Sequence, residues 1–366
     1  MVLRHLSNLT GWRTRRKIIV FESDDWGSIR MPSTKAFERL SSKGINLISG
    51  DSERYNRFDT LASKEDLELL FEILTSIRDK DGHAAVFTPV SLVANPDFAK
   101  IEAGNFKTYH YERFTETLHR YHREAAFDYW KFGIQEGIFV PQFHGREHLN
   151  VAAWIRKLNS QDPATVQAFK EGLWGYNNQG PISYQAAFDL EFANDLALQK
   201  TAISEGLELF SQLFGYRATF FVPPNGPFNH NLEKVAFEQG IRYLSTAKLH
   251  REPLGEKKYK KRFHWLGKKS KNGLTYITRN AFFEPSQGGK DWVDSSLADI
   301  ELAFQYNKPA NISTHRVNYI GSLDPKNRDF GLKQLNKLLK KIVQTWPAVE
   351  FLDADTLGKI IAADEK

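Results

Sequence analysis

Eight short apolar runs, spaced through the chain and separated by segments of helical period, narrow the fold more than any other feature. They are KIIVFE (17–22), AAVFTP (84–89), IFVPQF (138–143), ATFFV (218–222), RYLST (242–246), TYITR (275–279), ANIST (310–314) and VEFL (349–352). Runs of this kind suit buried parallel strands, because a strand covered on both faces has no reason to alternate apolar with polar residues. Pro141 falls inside the third run and predicts a bulge or a shortened strand, since proline cannot donate to a ladder. Between the runs, 64–78 places Leu67, Leu70, Phe71, Leu74 and Ile77 on one face, behind Ser63 as N-cap. Helical patterns follow over 149–158, 184–214 (one or two helices), 232–239, 297–306 and 331–346. The alternation predicts an α/β barrel or a doubly wound sheet of seven or eight strands. In both architectures the chemistry sits at the C-terminal ends of the strands.

Composition removes several classes. None of the apolar runs reaches the ~18–20 residues that a membrane helix needs. Charge and polarity interrupt residues 1–17 too often for a secretory signal, so a cytoplasmic location is expected. The chain has no cysteine, so any metal must be held by His, Asp or Glu. The net charge of +6 is uneven: segment 248–271 holds ten Lys or Arg and two Glu, leaving a net −2 elsewhere. That segment reads as an exposed, mobile loop that shapes substrate access or attracts anionic polymer. No base-stacking motif accompanies it, so sequence-specific nucleic-acid binding is not expected. His119 and His122 read as a solvated helix face.

Four strand ends carry chemistry. Glu22-Ser23-Asp24-Asp25-Trp26-Gly27 follows the first run. Adjacent carboxylates point in different directions, so one can bind a metal while its neighbour stays free as a base; the bland alternative is a polar turn with a capping Asp. His144-Gly145-Arg146-Glu147-His148 follows the third run, and two histidines four apart share a helical face and can converge on one ion. Val222-Pro223-Pro224-Asn225 follows the fourth; two prolines lack N–H groups, which leaves Asn225 the first free donor of a rigid turn, suited to an oxyanion. His315 ends the seventh. Taken together, Asp25, His144 and His148 supply three N/O ligands and leave a position for water or substrate. Asp24 is then placed as base and His315 as the acid for a leaving group. The expected chemistry is hydrolysis of an amide or ester.

These motifs resemble the polysaccharide deacetylase family (NodB-like, carbohydrate esterase family four). The resemblance rests on SDDWG, on His144 and His148, and on the apolar strand ending in His315. It implies a distorted (β/α)7 barrel of the glycoside hydrolase/deacetylase type and metal-dependent removal of N- or O-acetyl groups from a polysaccharide or amino sugar. That is hydrolysis of carbon–nitrogen bonds other than peptide bonds. It implies Asp24 as base, Asp25, His144 and His148 as ligands of a divalent ion, expected to be zinc, and His315 as acid. The implied partner is a carbohydrate. The family's third motif carries an arginine where this chain has Val222, and Arg279 at the end of the sixth run is the expected substitute. The usual acidic motif before the seventh strand is not recognisable. The resemblance covers the barrel core of one catalytic domain, 1–366, with insertions near 98–130, 162–195 and 248–271.

Three other readings compete. His144-Gly145-Arg146-Glu147-His148 also fits the H-x-x-E-H pattern of inverted zinc peptidases, with Glu147 as base. A related-barrel glycoside hydrolase would pair Asp24 with Glu22, Asp189 or Glu191. A carbohydrate-binding protein with a decayed site would keep the metal without hydrolysis. Trp26, Trp174, Tyr176 and Trp292 lie near loops where sugar rings could stack.

Overall fold

The computed structural model describes His5, residues 8–49 and residues 52–364. Thirteen strands occur among them: β1 Lys17–Trp26, β2 Phe87–Leu92, β3 Ala94–Pro96, β4 Tyr111–Arg113, β5 Gln142–Gly145, β6 Phe220–Phe221, β7 Tyr243–Ser245, β8 Leu249–Gly255, β9 Lys258–Phe263, β10 Thr275–Ile277, β11 Ala281–Phe282, β12 Ala310–His315 and β13 Val349–Phe351. The main sheet runs β10-β7-β6-β5-β2-β1-β12-β11, with β13 paired to the foot of β1. Every pairing within it is parallel.

The two edge strands of this sheet, β10 and β11, are consecutive in the chain. Only residues 278–280 separate Ile277 from Ala281, and so short a link spans at most about 14 Å. The sheet must therefore curl until its edges nearly meet. The result is a distorted α/β barrel with a seam between β10 and β11, as expected. Each of the eight runs contributes a strand. β11 is additional; its two residues are too short to register as an apolar run.

β1 runs through the middle of the sheet and is buried from Ile18 to Trp26. Ile19, Phe21, Phe87 and Ile312 pack outward against helices Lys64–Ser76, Trp292–Gln305 and Pro325–Thr345. The first of these starts where expected: Ser63 Oγ accepts from Asp66 N, and Asp66 Oδ2 accepts from Ser63 N. Helix Leu196–Phe214 is shorter than the pattern over 184–214 predicted. Residues 184–192 are irregular because the Asn150 side chain takes up two of their carbonyls, Ala186 O at 2.9 Å and Asp189 O at 2.8 Å.

Segment 248–271 is not a loop. β8 and β9 form an antiparallel hairpin with Leu249 opposite Phe263 and Arg251 opposite Lys261. Its outward residues are exposed, as expected, but alternation of inward His250 and Glu252 with outward Leu249 and Arg251 gives it strand geometry. Near 98–130 and 162–195, short helices and the β3–β4 ribbon pack around Trp154, Phe169 and Trp174. No helix among the described residues is long and apolar enough to cross a membrane.

Candidate active site

Two β-bulges build the site. Along β1–β2 the pairing passes from Ser23↔Pro89 to Trp26↔Ser91, so β1 holds one extra residue at Asp24–Asp25. Along β2–β5 it passes from Ser91↔Phe143 to Leu92↔Gly145, so β5 holds one extra residue at His144. A bulge re-aims a side chain at a strand end. Asp25 has φ 74°, a left-handed conformation that costs a non-glycine residue free energy and turns its carboxylate away from that of Asp24. The turn continues at Gly27 (φ 85°), where a Cβ would meet Leu92 O at 2.1 Å.

His144 lies in β5 and His148 in the turn before helix Val151–Asn159, so the pair does not share a helical face as expected. The imidazoles converge because the chain reverses at Gly145, whose φ is 142°. Arg146 O pins that turn by accepting from Val93 N and Ala94 N. His144 Nδ1–H donates to Val222 O at 2.6 Å, which leaves its Nε2 as the ligand atom. The His148 ring is held under the Trp174 indole, centroids 6.0 Å apart.

Asp25, His144 and His148 form one buried group able to hold a metal ion. Asp25 Oδ1 lies 3.1 Å from His148 Nε2 and 3.4 Å from His144 Nε2. A tetrahedral set with zinc-type bonds of ~2.0–2.1 Å has edges of about 3.3–3.4 Å, so the donors fit a divalent ion. His144 Nε2 is buried with no hydrogen-bond partner, as an intended ligand atom would be. Protonation states suit the role. Burial and the neighbouring Arg30 cation push His148 down to about 4, so its imidazole is neutral. Burial opposes charge on Asp25, yet Arg30 and the imidazoles hold it well below the usual carboxylate range. Arg30 NH2 donates to Asp25 Oδ2 at 3.2 Å, leaving Oδ1 to the histidines. Nothing in the local sequence pattern marks Arg30.

Asp24 is gripped by Arg279, which reaches in from the seam between β10 and β11. NH1 donates to Oδ2 and NH2 to Oδ1, both at 2.6 Å, and Nε donates to Glu22 Oε2 at 2.7 Å. This fork stands where the Val222 position offers no cation. Burial opposes ionisation of Asp24, but Arg279 holds its carboxyl below the ordinary value.

His315 stands across from Asp24, Nε2 to Oδ2 3.8 Å. Its Nδ1–H donates to Glu284 Oε1 at 2.5 Å. Burial would lower its basicity, but Glu284, then Asp24 and Asp25, lift it to about 9. Glu284 Oε2 in turn accepts from Arg54 NH1 at 2.6 Å and Asn318 Nδ2 at 2.9 Å. Glu284 is thus the acid that holds the His315 ring, and the sequence reading did not single it out. The signal that could have found it is an acid closing a short apolar run, AFFE, as Glu22 closes KIIVFE.

Asp24, Asp25, His144, His148, Arg279, His315 and Asn225 all line one cavity of about 1100 Å³. Asn225 has φ 55° and is exposed at the rim. The other carboxylates lie elsewhere. Glu147 receives Arg146 at 2.6 and 3.0 Å and faces away from the cavity, against the peptidase reading. Glu22 is fully buried behind Arg279, Asp189 accepts from Tyr259, and Glu191 pairs with Arg156, so none of these three lines the cavity opposite Asp24 as a glycosidase would need. Trp26, Trp174 and Tyr176 are buried in the core and offer no stacking face.

No family model and no curated protein matches the chain. Among solved structures, it is similar to one assigned as a polysaccharide deacetylase from Mycobacterium smegmatis, at 11% identity and a TM-score of 0.46, covering 97% of this chain and 94% of that one. It is also similar to one so assigned from Pseudomonas aeruginosa PAO1, at 11% identity and a TM-score of 0.48, covering 94% and 91%. A CE4 family pseudoenzyme from Bacillus anthracis follows at 10% identity and 0.37, covering 94% and 66%. These likenesses concern the path of the chain.

Proposed function

We propose that this chain is a metal-dependent hydrolase that removes acetyl groups from an amino sugar or polysaccharide. The observation that carries the reading is the division of labour between adjacent aspartates: Asp25 turns to two imidazoles, and Asp24 is clamped by Arg279 opposite His315.

A divalent ion, for which zinc suits two imidazoles and a carboxylate, would polarise the acyl carbonyl and supply the attacking water. Asp24 takes a proton from that water. The Arg279 fork fixes its two oxygens in one plane and keeps the carboxylate ionised, ready to accept. The water oxygen bonds to the acyl carbon, and the Asn225 N–H at the rim donates to the carbonyl oxygen as charge gathers there. The carbon–nitrogen bond then breaks, its electron pair going to nitrogen. An amide anion is a very poor leaving group, so nitrogen must gain a proton as it departs. His315 gives it; with its Nδ1–H held by Glu284, the ring carries a proton on Nε2 at neutral pH and faces Asp24 across the reacting group.

The wall carries many neutral amide and hydroxyl groups, among them Asn46, Ser49, Asn177, Asn178, Ser183 and Gln185, which suits a polyhydroxylated ligand. The test is acetate release from N-acetylated amino sugars by the purified chain, with and without chelator, beside Asp24→Asn. Activity that survives both chelation and the Asp24 substitution would overturn the reading.

A further inference from the structure

The outward face of the β8–β9 hairpin is bare and chemically two-sided. Leu249 and Phe263 sit opposite each other on it and are 50% and 65% exposed; Trp265, two residues on, is 39% exposed. The next outward rung is Arg251 opposite Lys261, both exposed. Like charges directly opposite across a strand pair destabilise it. Among the described residues neither Arg251 nor Lys261 has a carboxylate within ion-pair distance, whereas the inward Arg262 is paired to Glu252. Lys268 adds a further cation, with Nζ 4.5 Å from the Trp265 ring centroid. The segment as a whole carries a net +8, and the rest of the chain carries none of this excess.

We propose that this face docks on an anionic lipid bilayer, as a peripheral contact. Charge complementarity gives the sign of the partner. The apolar rung gives its kind. A soluble acidic polymer would satisfy Arg251 and Lys261 but leave Leu249 and Phe263 in water. A bilayer interface takes both, seating aromatic and aliphatic side chains at headgroup depth while cations meet acidic headgroups. The placement has a consequence for access. Thr246, Ala247 and Lys248, which lead from β7 into the hairpin, line the main cavity, so docking brings its mouth beside the lipid surface. The inference goes beyond the hydrolase reading and stands without it.

The test is co-sedimentation of the full chain with vesicles of phosphatidylcholine alone and of an equimolar mixture with phosphatidylglycerol, at low and physiological salt. Binding is expected to the mixed vesicles and not to the neutral ones. Arg251→Gln with Lys261→Gln should weaken it roughly 25-fold, about fivefold per cation. Leu249→Ser with Phe263→Ser should weaken it by about an order of magnitude, with thermal stability and turnover of a soluble substrate unchanged. Failure of the unmodified chain to bind the mixed vesicles overturns the proposal, whatever the variants do. So does wild-type binding by the Leu249/Phe263 variant together with full competition by a soluble polyanion such as heparin, which would assign the face to an acidic polymer. Vesicle binding without acetate release would leave the docking standing and refute the hydrolase.

Discussion

Glu284→Gln isolates what sets the acid. The substitution keeps size and leaves an amide oxygen to accept the His315 Nδ1–H, so it removes charge more than shape. In the native site His315 stands at about 9 against an ordinary 6.5. That lift is worth about 3 kcal/mol in favour of the imidazolium. It survives burial, which pulls the other way. Glu284 is the strongest source, with Oε1 at 2.5 Å from Nδ1, while Asp24 lies at 3.8 Å from Nε2. Without the Glu284 charge, burial regains ground, and His315 should fall back towards its ordinary value, a loss on the order of 3 kcal/mol. The sign follows from linkage. A histidine raised in the folded state stabilises it fully below its unfolded pKa of about 6.5 and loses that contribution as pH rises through about 9. The variant's stability deficit should therefore be larger at pH 6 than at pH 10. Loss of the Arg54 contact adds a part that does not change over that range. The assay is NMR titration of the His315 ring in chelator-treated protein labelled at histidine, with Glu284→Gln beside the native chain. For the proposed hydrolysis, the alkaline limb of the pH–rate profile should shift to lower pH by the same amount. A His315 that still titrates within half a unit of the native value would refute this account of how its proton is held.

Other outcomes follow from the same contacts. His144→Ala or His148→Ala should sharply lower metal content by elemental analysis, and full occupancy in the double variant would sink the ligand assignment. Asp24→Asn should keep its metal yet lose about 10²–10⁴ in turnover, the usual worth of a positioned proton acceptor. Arg279→Met leaves Glu22 and Asp24 buried without their cation and should cost roughly 3–5 kcal/mol in urea unfolding. His315→Ala should keep metal and lose far more rate on amides than on activated esters, whose leaving groups depart without a proton.

The strands were legible because burial on both faces writes a continuous apolar run into the sequence, which β1 shows from Ile18 to Phe21. Helix starts were legible where a side chain caps them, as Ser63 does. Legibility failed where side chains replace backbone pairing. Tyr184, Ala187, Phe188 and Leu190 are buried and mimic a helical stripe, but Asn150 takes up two carbonyls of the segment and no helix forms. The basic segment failed for another reason. A run of lysines hides the period-two alternation of His250, Glu252 and their outward neighbours, because inward His250 and Glu252 are as polar as outward Arg251 and Lys261, while outward Leu249 and Phe263 are apolar.

The site shows a sharper division. Residue types at strand ends could be read, and the structure brings all seven to one cavity. What could not be read is why they converge, because that depends on two single-residue shifts in register. Had β1 and β5 paired with β2 without bulges, the side chains beyond Ser23 and Phe143 would each point to the opposite face, since strand period is two. Asp25 would then turn from the imidazoles, and His144 Nε2 from Asp25. The same geometry explains the arginine. A cation for Asp24 need not come from the loop after β6, because the barrel closes imperfectly and its seam lies two strands from β1. A side chain in the seam link, at position 279, can enter between β10 and β11 and reach Asp24 and Glu22 across the end of β12, where Ser313 Oγ also accepts from it at 2.9 Å. The cation that the loop after β6 does not offer Asp24 thus arrives through a gap in the wall.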